Sequence, residues 1–154
     1  MLQPTLNSGH PDPAPEARVV LHGPGALGLR LWHLHRVQQL LDRHSFWACG
    51  RRRRDLNRML AASQAAVSAW EGSRLVGFGR ASSDGVFRAT LWDVVVAEEQ
   101  RGQGLGRRLV EQLLGAPALR GVERVYLMTS NGAAFYERLG FRSVDDQTLM
   151  RRDL

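Results

Sequence analysis

One short turn of this chain is suited to gripping an anion. Residues 101–106 read Arg101-Gly102-Gln103-Gly104-Leu105-Gly106. They follow the apolar run Leu91-Trp92-Asp93-Val94-Val95-Val96 and precede Arg107-Arg108-Leu109-Val110-Glu111-Gln112-Leu113-Leu114, whose apolar residues recur at helical spacing. Strand, glycine-rich turn and helix in that order aim backbone N–H groups at one point. The first turn of a helix leaves N–H groups unpaired, and the helix dipole adds partial positive charge there. A phosphate fits such a point. A Cβ at Gly102, Gly104 or Gly106 is expected to hold a diphosphate off the backbone. Gln103 and Leu105 belong to the same turn, and Arg101, Arg107 and Arg108 are candidate charge partners. A Walker loop is excluded, because it needs Gly-Lys-Ser/Thr and this chain has no lysine: all 21 of its basic side chains are arginine. A dinucleotide fold needs Gly-x-Gly-x-x-Gly and an acidic residue about 20 positions later, whereas these glycines alternate.

A second segment stands downstream. Val122 to Thr129 is rich in β-formers and reads as a strand. Asn131 can cap a following helix, to which Ala134, Phe135 and Leu139 give an apolar side. Gly140 stops that helix and Phe141 opens another strand. The first segment, Arg-x-x-Gly-x-Gly after a Val-rich strand, resembles the acetyl-CoA motif of the GNAT-type N-acetyltransferases. The second resembles that family's other signature through Asn131, Ala134, Phe135, Tyr136, Gly140 and Phe141. The resemblance runs over roughly residues 26–152.

The resemblance implies a single α/β (α+β) domain. Its central sheet would be mixed and mostly antiparallel, splayed between the fourth and fifth strands, with helices on both faces. It implies acetyl-CoA as co-substrate and no metal. The pantetheine arm would lie between Val94–Val96 and Tyr126–Thr129, pairing with peptide groups that splaying leaves open. Free N–H groups near Val94, Val95 and Val96 would polarise the thioester carbonyl, and the diphosphate would fall on Gly102 to Arg107. Tyr136 is placed as general acid to the leaving thiolate, against the plainer reading of an amphipathic-helix tyrosine. Asn131 would bond the cofactor arm, cap its helix, or both.

No base comes with the resemblance. Some relatives carry Glu or His in mid-strand, where this chain has Thr90 and Trp92. Asp93 is the nearest ionisable group. In a cleanly alternating strand it points opposite to Val94 and Val96, so its access depends on a bulge. Pairing with an arginine inside the fold and proton loss through water are the alternatives.

The first motif is similar to one branch of the family, found in cyanobacteria and plastids, which includes plant-type serotonin N-acetyltransferases and plastid protein-lysine acetyltransferases. Met128-Thr129-Ser130-Asn131 departs from that branch, where Phe-Ala-Asp is expected. Phe46, Trp47, Trp92 and Thr129 are acceptor-site candidates, with Phe87 as a further aromatic. A small arylalkylamine is the favoured acceptor. A protein-lysine or N-terminal acetyltransferase is the alternative, with Asp145 and Asp146 as an acidic edge or simply a solvated turn. Readings from another class are a non-catalytic acetyl-CoA sensor and an Arg-rich nucleic-acid-binding module built on Arg51-Arg52-Arg53-Arg54. Those arginines stand at a helix start and face in different directions, with no interleaved aromatics to stack on bases, so nucleic acid is disfavoured. A homodimer is left open.

These residues need a scaffold, and 154 residues with 44% hydrophobic content suffice for one domain. Residues 1–17, with Pro4, Pro11, Pro13 and Pro15, read as a disordered tail, and residues 18–154 as the folded domain. No apolar stretch approaches the roughly 18 residues that cross a bilayer, and the N-terminus resembles neither a secretory signal nor a transit peptide. A cytosolic protein is expected, and the single Cys49 fits a reducing compartment. The net charge of +6 suits a polyanionic cofactor without singling it out. The expected elements begin with a strand over Leu27–Trp32 after the Gly23-Pro24-Gly25 turn. A helix over about 33–43 follows from Leu34, Val37, Leu40 and Leu41, then a second near Arg52 with Leu56, Met59 and Leu60 inside. Strands Ala65–Trp70 and Leu75–Ala81 flank a turn at Gly72, and Val86–Val96 is a longer strand. The motif helix, strand Val122–Thr129, a second motif helix and two short strands complete the order.

Overall fold

The computed structural model describes residues 16–154. The expected disordered tail lies outside the described residues as far as position 15. Ala17 is buried, and Glu16 sits 2.6 Å from the Arg108 guanidinium.

Strand β1 is Arg18–His22, and the order across the sheet is β1, β2, β3, β4, β5. The strand expected over Leu27–Trp32 is not formed there. Leu29–His33 is a π-helical turn that runs straight into α1, Leu34–His44. Gly23-Pro24-Gly25 therefore ends the first strand instead of opening it. The reason lies in spacing: Leu29, Val37, Leu40 and Leu41 are buried, while Leu27, Leu31 and Trp32 are exposed, a helical stripe and not an alternation. Helix α2, Arg53–Ala61, buries Leu56 and Leu60 in the same way.

Strands β2 (Ala65–Glu71) and β3 (Arg74–Ser83) form the expected hairpin. Glu71 pairs with Arg74 across a two-residue loop in which Gly72 has φ +57°, a conformation costly for other residues. β2 is buried along nearly its whole length, as a strand covered on both faces must be. β4 is Arg88–Val96 and runs antiparallel to β3. Helix α3, Leu105–Leu114, lies tight on β3. A Cβ on Gly77 would come 3.0 Å from Leu109 Cδ1, and one on Gly79 would come 3.1 Å from Leu113 Cδ1. Alternation turns Val76 and Phe78 to the other face, the side on which α1 packs against β3. Helices thus cover both faces of one mixed, mostly antiparallel sheet, as expected.

The chain returns from α3 to β5, Arg124–Tyr126, the one parallel neighbour of β4. β5 is shorter than the expected Val122–Thr129. The next helix, α4, spans only Ala133–Glu137. The two short strands expected from Phe141 onward are absent: residues 141–154 form neither helix nor strand. Val144, Leu149 and Met150 are exposed there among Asp145, Asp146, Arg151 and Arg152. That stretch has no alternating apolar face to dock on the sheet.

Candidate active site

The parallel strands β4 and β5 pair only at Arg88–Arg124, Ala89–Val125 and Thr90–Tyr126. From Leu91 to Val96 the edge of β4 on that side has no strand beside it among the described residues, and Leu127, Met128 and Thr129 have left the sheet. The fourth and fifth strands therefore part where the cofactor arm was expected. Val95 is buried, and Val94 and Val96 are half-buried.

The glycine turn lies at the end of this edge. Gly102 and Gly104 have φ of +75° and +79°, which side chains with a Cβ adopt only at a cost of about 1–2 kcal/mol. A Cβ on either would project into open space. Gly104 is the N-cap of α3 and offers no side-chain cap. The first N–H of the helix to reach a carbonyl is that of Arg108, on Gly104 O at 3.1 Å. The N–H groups of Leu105, Gly106 and Arg107 are left for a ligand. Gly106 differs from the other two glycines, because its Cβ would stand 3.3 Å from the Phe135 ring and 3.6 Å from Val96. That glycine lets α4, and Tyr136 with it, approach the helix start.

The three candidate arginines differ. Arg101 donates from Nε to the Val96 carbonyl at 3.3 Å. Arg107 pairs with Glu111 one turn along α3, and Arg108 with Glu16. Gln103 donates to the Glu99 carbonyl and so braces the loop.

Tyr136 stands in α4 with its ring edge-on to Phe135 (4.9 Å) and Phe141 (5.8 Å). Burial holds its phenol above the ordinary tyrosine value, so it keeps its proton at neutral pH. Among the described residues the hydroxyl has no hydrogen-bond partner. Asn131 makes no cap. Gly132 is the N-cap of α4, and Thr129 Oγ1 accepts its N–H at 2.9 Å. Thr129 is thus tied into this turn, and Asn131 is left exposed beside it.

The bulge on which Asp93 depends is present. Phe78 pairs with Val95 and Arg80 with Trp92, so Gly79 alone faces Asp93 and Val94. Asp93 takes φ +52° to make the extra step, a left-handed conformation that Asp tolerates better than most residues. Its side chain is 5% exposed and both oxygens are engaged: Arg51 Nη1 donates at 3.1 Å and Arg80 Nε at 2.8 Å. Arg80 also lies over the Trp92 ring, 5.7 Å from its centroid, and Trp92 donates to Ser82 Oγ at 2.8 Å. Arg51 comes from the loop between α1 and α2 that carries Phe46 and Trp47. These two rings meet edge-on at 5.1 Å and are 75% and 49% exposed. Phe87 lies beyond the opposite end of β4, where its carbonyl accepts from Arg124 N–H. It stands five strand positions, roughly 17 Å, from Trp92. Asp145 and Asp146 are solvent-exposed in a bend.

Arg51, Arg80 and Gly79 are the residues sequence reasoning missed. Arg51 was hidden in its run of four, of which it alone reaches into the fold, while Arg52 and Arg54 pair locally with Asp55. Gly79, unpaired opposite two residues, was legible as a glycine inside a strand pattern. Among the described residues no group of three or more His, Cys, Asp or Glu could hold a metal, and no helix is long and apolar enough to cross a membrane.

Comparison with known proteins bears on this geometry. The profile of the acetyltransferase (GNAT) family matches residues 33–141. A Prochlorococcus marinus protein named uncharacterized N-acetyltransferase ycf52-like is 33% identical over 121 residues, covering 73% of this chain and 64% of that protein. The rice protein named serotonin N-acetyltransferase 2, chloroplastic, is 44% identical over 69 residues, covering 44% of this chain and 34% of the rice protein. The chain thus matches about a third of the length of that plant relative. A crystal structure from Xanthomonas campestris pv. campestris, assigned to the GNAT family as an acetyltransferase, superposes with a TM-score of 0.72 at 28% identity, covering 89% of this chain and 94% of that one.

Proposed function

The chain belongs to the acetyltransferase (GNAT) family, and from that premise we propose that it moves the acetyl group of acetyl-CoA directly to a primary amine, with a small arylalkylamine as acceptor. One observation carries the reading: the unpartnered edge of β4 from Leu91 to Val96 runs into an uncapped helix start at Gly104. An amide-rich arm ending in a diphosphate suits that pair of features, the arm satisfying strand peptide groups and the phosphates the helix N–H groups.

Acetyl-CoA supplies the activated thioester. The chain's part is to orient and polarise. N–H groups near Val94 to Val96 hold the carbonyl oxygen as the amine nitrogen bonds to carbon and the carbon–sulfur bond breaks. The Tyr136 hydroxyl, protonated and without a partner among the described residues, donates toward the departing sulfur. Asn131 is free to bond the amide arm, and Arg101, Arg107 and Arg108 to turn toward phosphate in exchange for their present partners. We assign Asp93 a positioning role: with both oxygens on guanidinium groups it holds the bulge that sets the Val94 peptide, and the amine's proton leaves through water.

Phe46, Trp47 and Trp92 furnish flat apolar surface on the acceptor side, which supports an arylalkylamine. The name of the rice relative points the same way. The expected cytosolic setting has a plastid alternative in the same relative's chloroplastic name.

The test is thiol release from acetyl-CoA by the purified protein with tryptamines, polyamines and lysine peptides. Release with tryptamines at the highest kcat/KM is expected. Preference for lysine peptides would move the acceptor class to protein. No amine-dependent release, with acetyl-CoA still bound in calorimetry, would leave a sensor.

A further inference from the structure

The β1 edge of the sheet carries a cavity. Its volume is about 310 Å³, and Arg18, His22, Trp32, His33, Arg36 and Trp70 are among its walls. β1 and β2 supply its floor, and β3 separates them from β4, so it does not share the cleft between β4 and β5.

The polar groups here follow one logic. Trp70 Nε1 donates to Ser68 Oγ at 2.8 Å, and His22 Nε2 lies 2.7 Å from the same oxygen. An indole N–H only donates, and a serine has one proton to give. Ser68, fully buried, accepts from Trp70 and still has a proton and a second lone pair to offer His22 Nε2. His22 Nδ1 has no hydrogen-bond partner among the described residues. The His33 ring packs on Trp70 with centroids 4.6 Å apart. Burial first, then the neighbouring His33 ring for His22 and Arg36 for His33, keeps both below the ordinary imidazole value, so both are neutral at neutral pH. Full charge comes from Arg18 and Arg36. Neither has a carboxylate within ion-pair distance among the described residues, and no acidic side chain lines the cavity. Arg36 stands one helical turn from His33 and so on the same side of the helix. At the mouth, Trp32 is 73% exposed, although a tryptophan is mostly covered in a folded protein.

We propose that this cavity is a binding site for a small aromatic anion. The ring lies against Trp32, and the carboxylate or phosphate sits between Arg18 and Arg36, beside His22. Two guanidinium groups that pair with no carboxylate among the described residues select a negative group, and the tryptophans select a flat ring. The volume is at the small end of ligand cavities, about 300–1,000 Å³, which admits one substituted ring system and not a nucleotide. The site is independent of the acetyltransferase reading.

Fluorine NMR of 4-fluorophenylacetate and 4-fluorophenyl phosphate tests it, with the full chain and enough CoA present to fill the cleft. Saturable line broadening of either probe is expected, reversed by indole-3-acetate but not by tryptamine, acetate or inorganic phosphate at the same concentration. The stronger probe tells carboxylate from phosphate. Trp32→Ala and Arg36→Gln, both at solvent-accessible positions, should each weaken binding about tenfold and leave CoA affinity unchanged; Arg36→Lys should recover part of the loss. The proposal is overturned if neither probe broadens saturably, if CoA displaces the probe, or if both variants bind within twofold of the parent.

Discussion

Arg51 reaches from the loop between α1 and α2 to place Nη1 3.1 Å from Asp93 Oδ1, tying the loop that bears Phe46 and Trp47 to the bulge in β4. With Arg80 on the other oxygen, one buried carboxylate joins the loop of Phe46 and Trp47 to the strand proposed to hold the thioester.

Removing that carboxylate strands two arginines. Asp93→Ala should cost about 3 kcal/mol in urea unfolding, the scale for breaking a buried ion pair. Arg51→Ala, which removes the more exposed partner, should cost under about 1 kcal/mol. Asp93→Asn should lower kcat/KM without changing the shape of its pH profile. Loss of a limb between about pH 6 and 9 in that variant would make Asp93 the base after all.

Tyr136→Phe deletes one hydroxyl that has no partner among the described residues. Stability should not change, and acetyl-CoA should bind as before by calorimetry. Single-turnover acetyl transfer should slow about 100-fold or more, the range for a lost acid. Equal rates in the two proteins would return Tyr136 to the role of a packing aromatic.

The motif glycines should separate by function. Gly104→Ala forces a Cβ into φ +79°, a strain of about 1–2 kcal/mol confined to the phosphate loop, and should raise the acetyl-CoA Kd. Gly106→Val pushes on Phe135, which a Cβ would already meet at 3.3 Å. It should lower kcat through displacement of α4 and Tyr136 more than it changes Kd.

Acid should weaken the fold through His22. Burial, then His33, lowers its proton affinity in the folded protein, while the unfolded chain titrates near 6.5. The unfolded state therefore takes up more protons as pH falls. The stability that His22 contributes is complete above about pH 6.5 and is lost as pH drops toward the lowered folded value. Thermal melts from pH 7.5 to 5 should show a smaller loss of Tm in His22→Gln than in the parent; parallel curves would refute the linkage.

Local pattern carried the elements whose signal is dense. Leu56 and Leu60 inside α2, the Gly72 hairpin, and the strand–glycine turn–helix around Gly104 were all readable, because each rests on spacing or on a backbone angle that few residues adopt. Where signals were sparse the reading went astray. Leu27–Trp32 looked like a strand until burial of Leu29 alone showed a helical stripe. Residues past Phe141 lacked the alternation that a strand needs. Asn131 looked like a cap, yet Thr129, two residues earlier, holds the Gly132 N–H.

The chain by itself determined the chemistry on offer: a glycine turn for an anion, a tyrosine in a second motif, a strand of valines. These are properties of residue type and short spacing, and they survive without coordinates. Tertiary structure alone decided the partners. Asp93 meets Arg51 and Arg80 across 42 and 13 positions of chain, and Gly106 makes room for Phe135 from another helix. Such contacts depend on which strand lies beside which and where one bulges. No local pattern encodes that, because the energy that selects it is shared over the whole packed sheet.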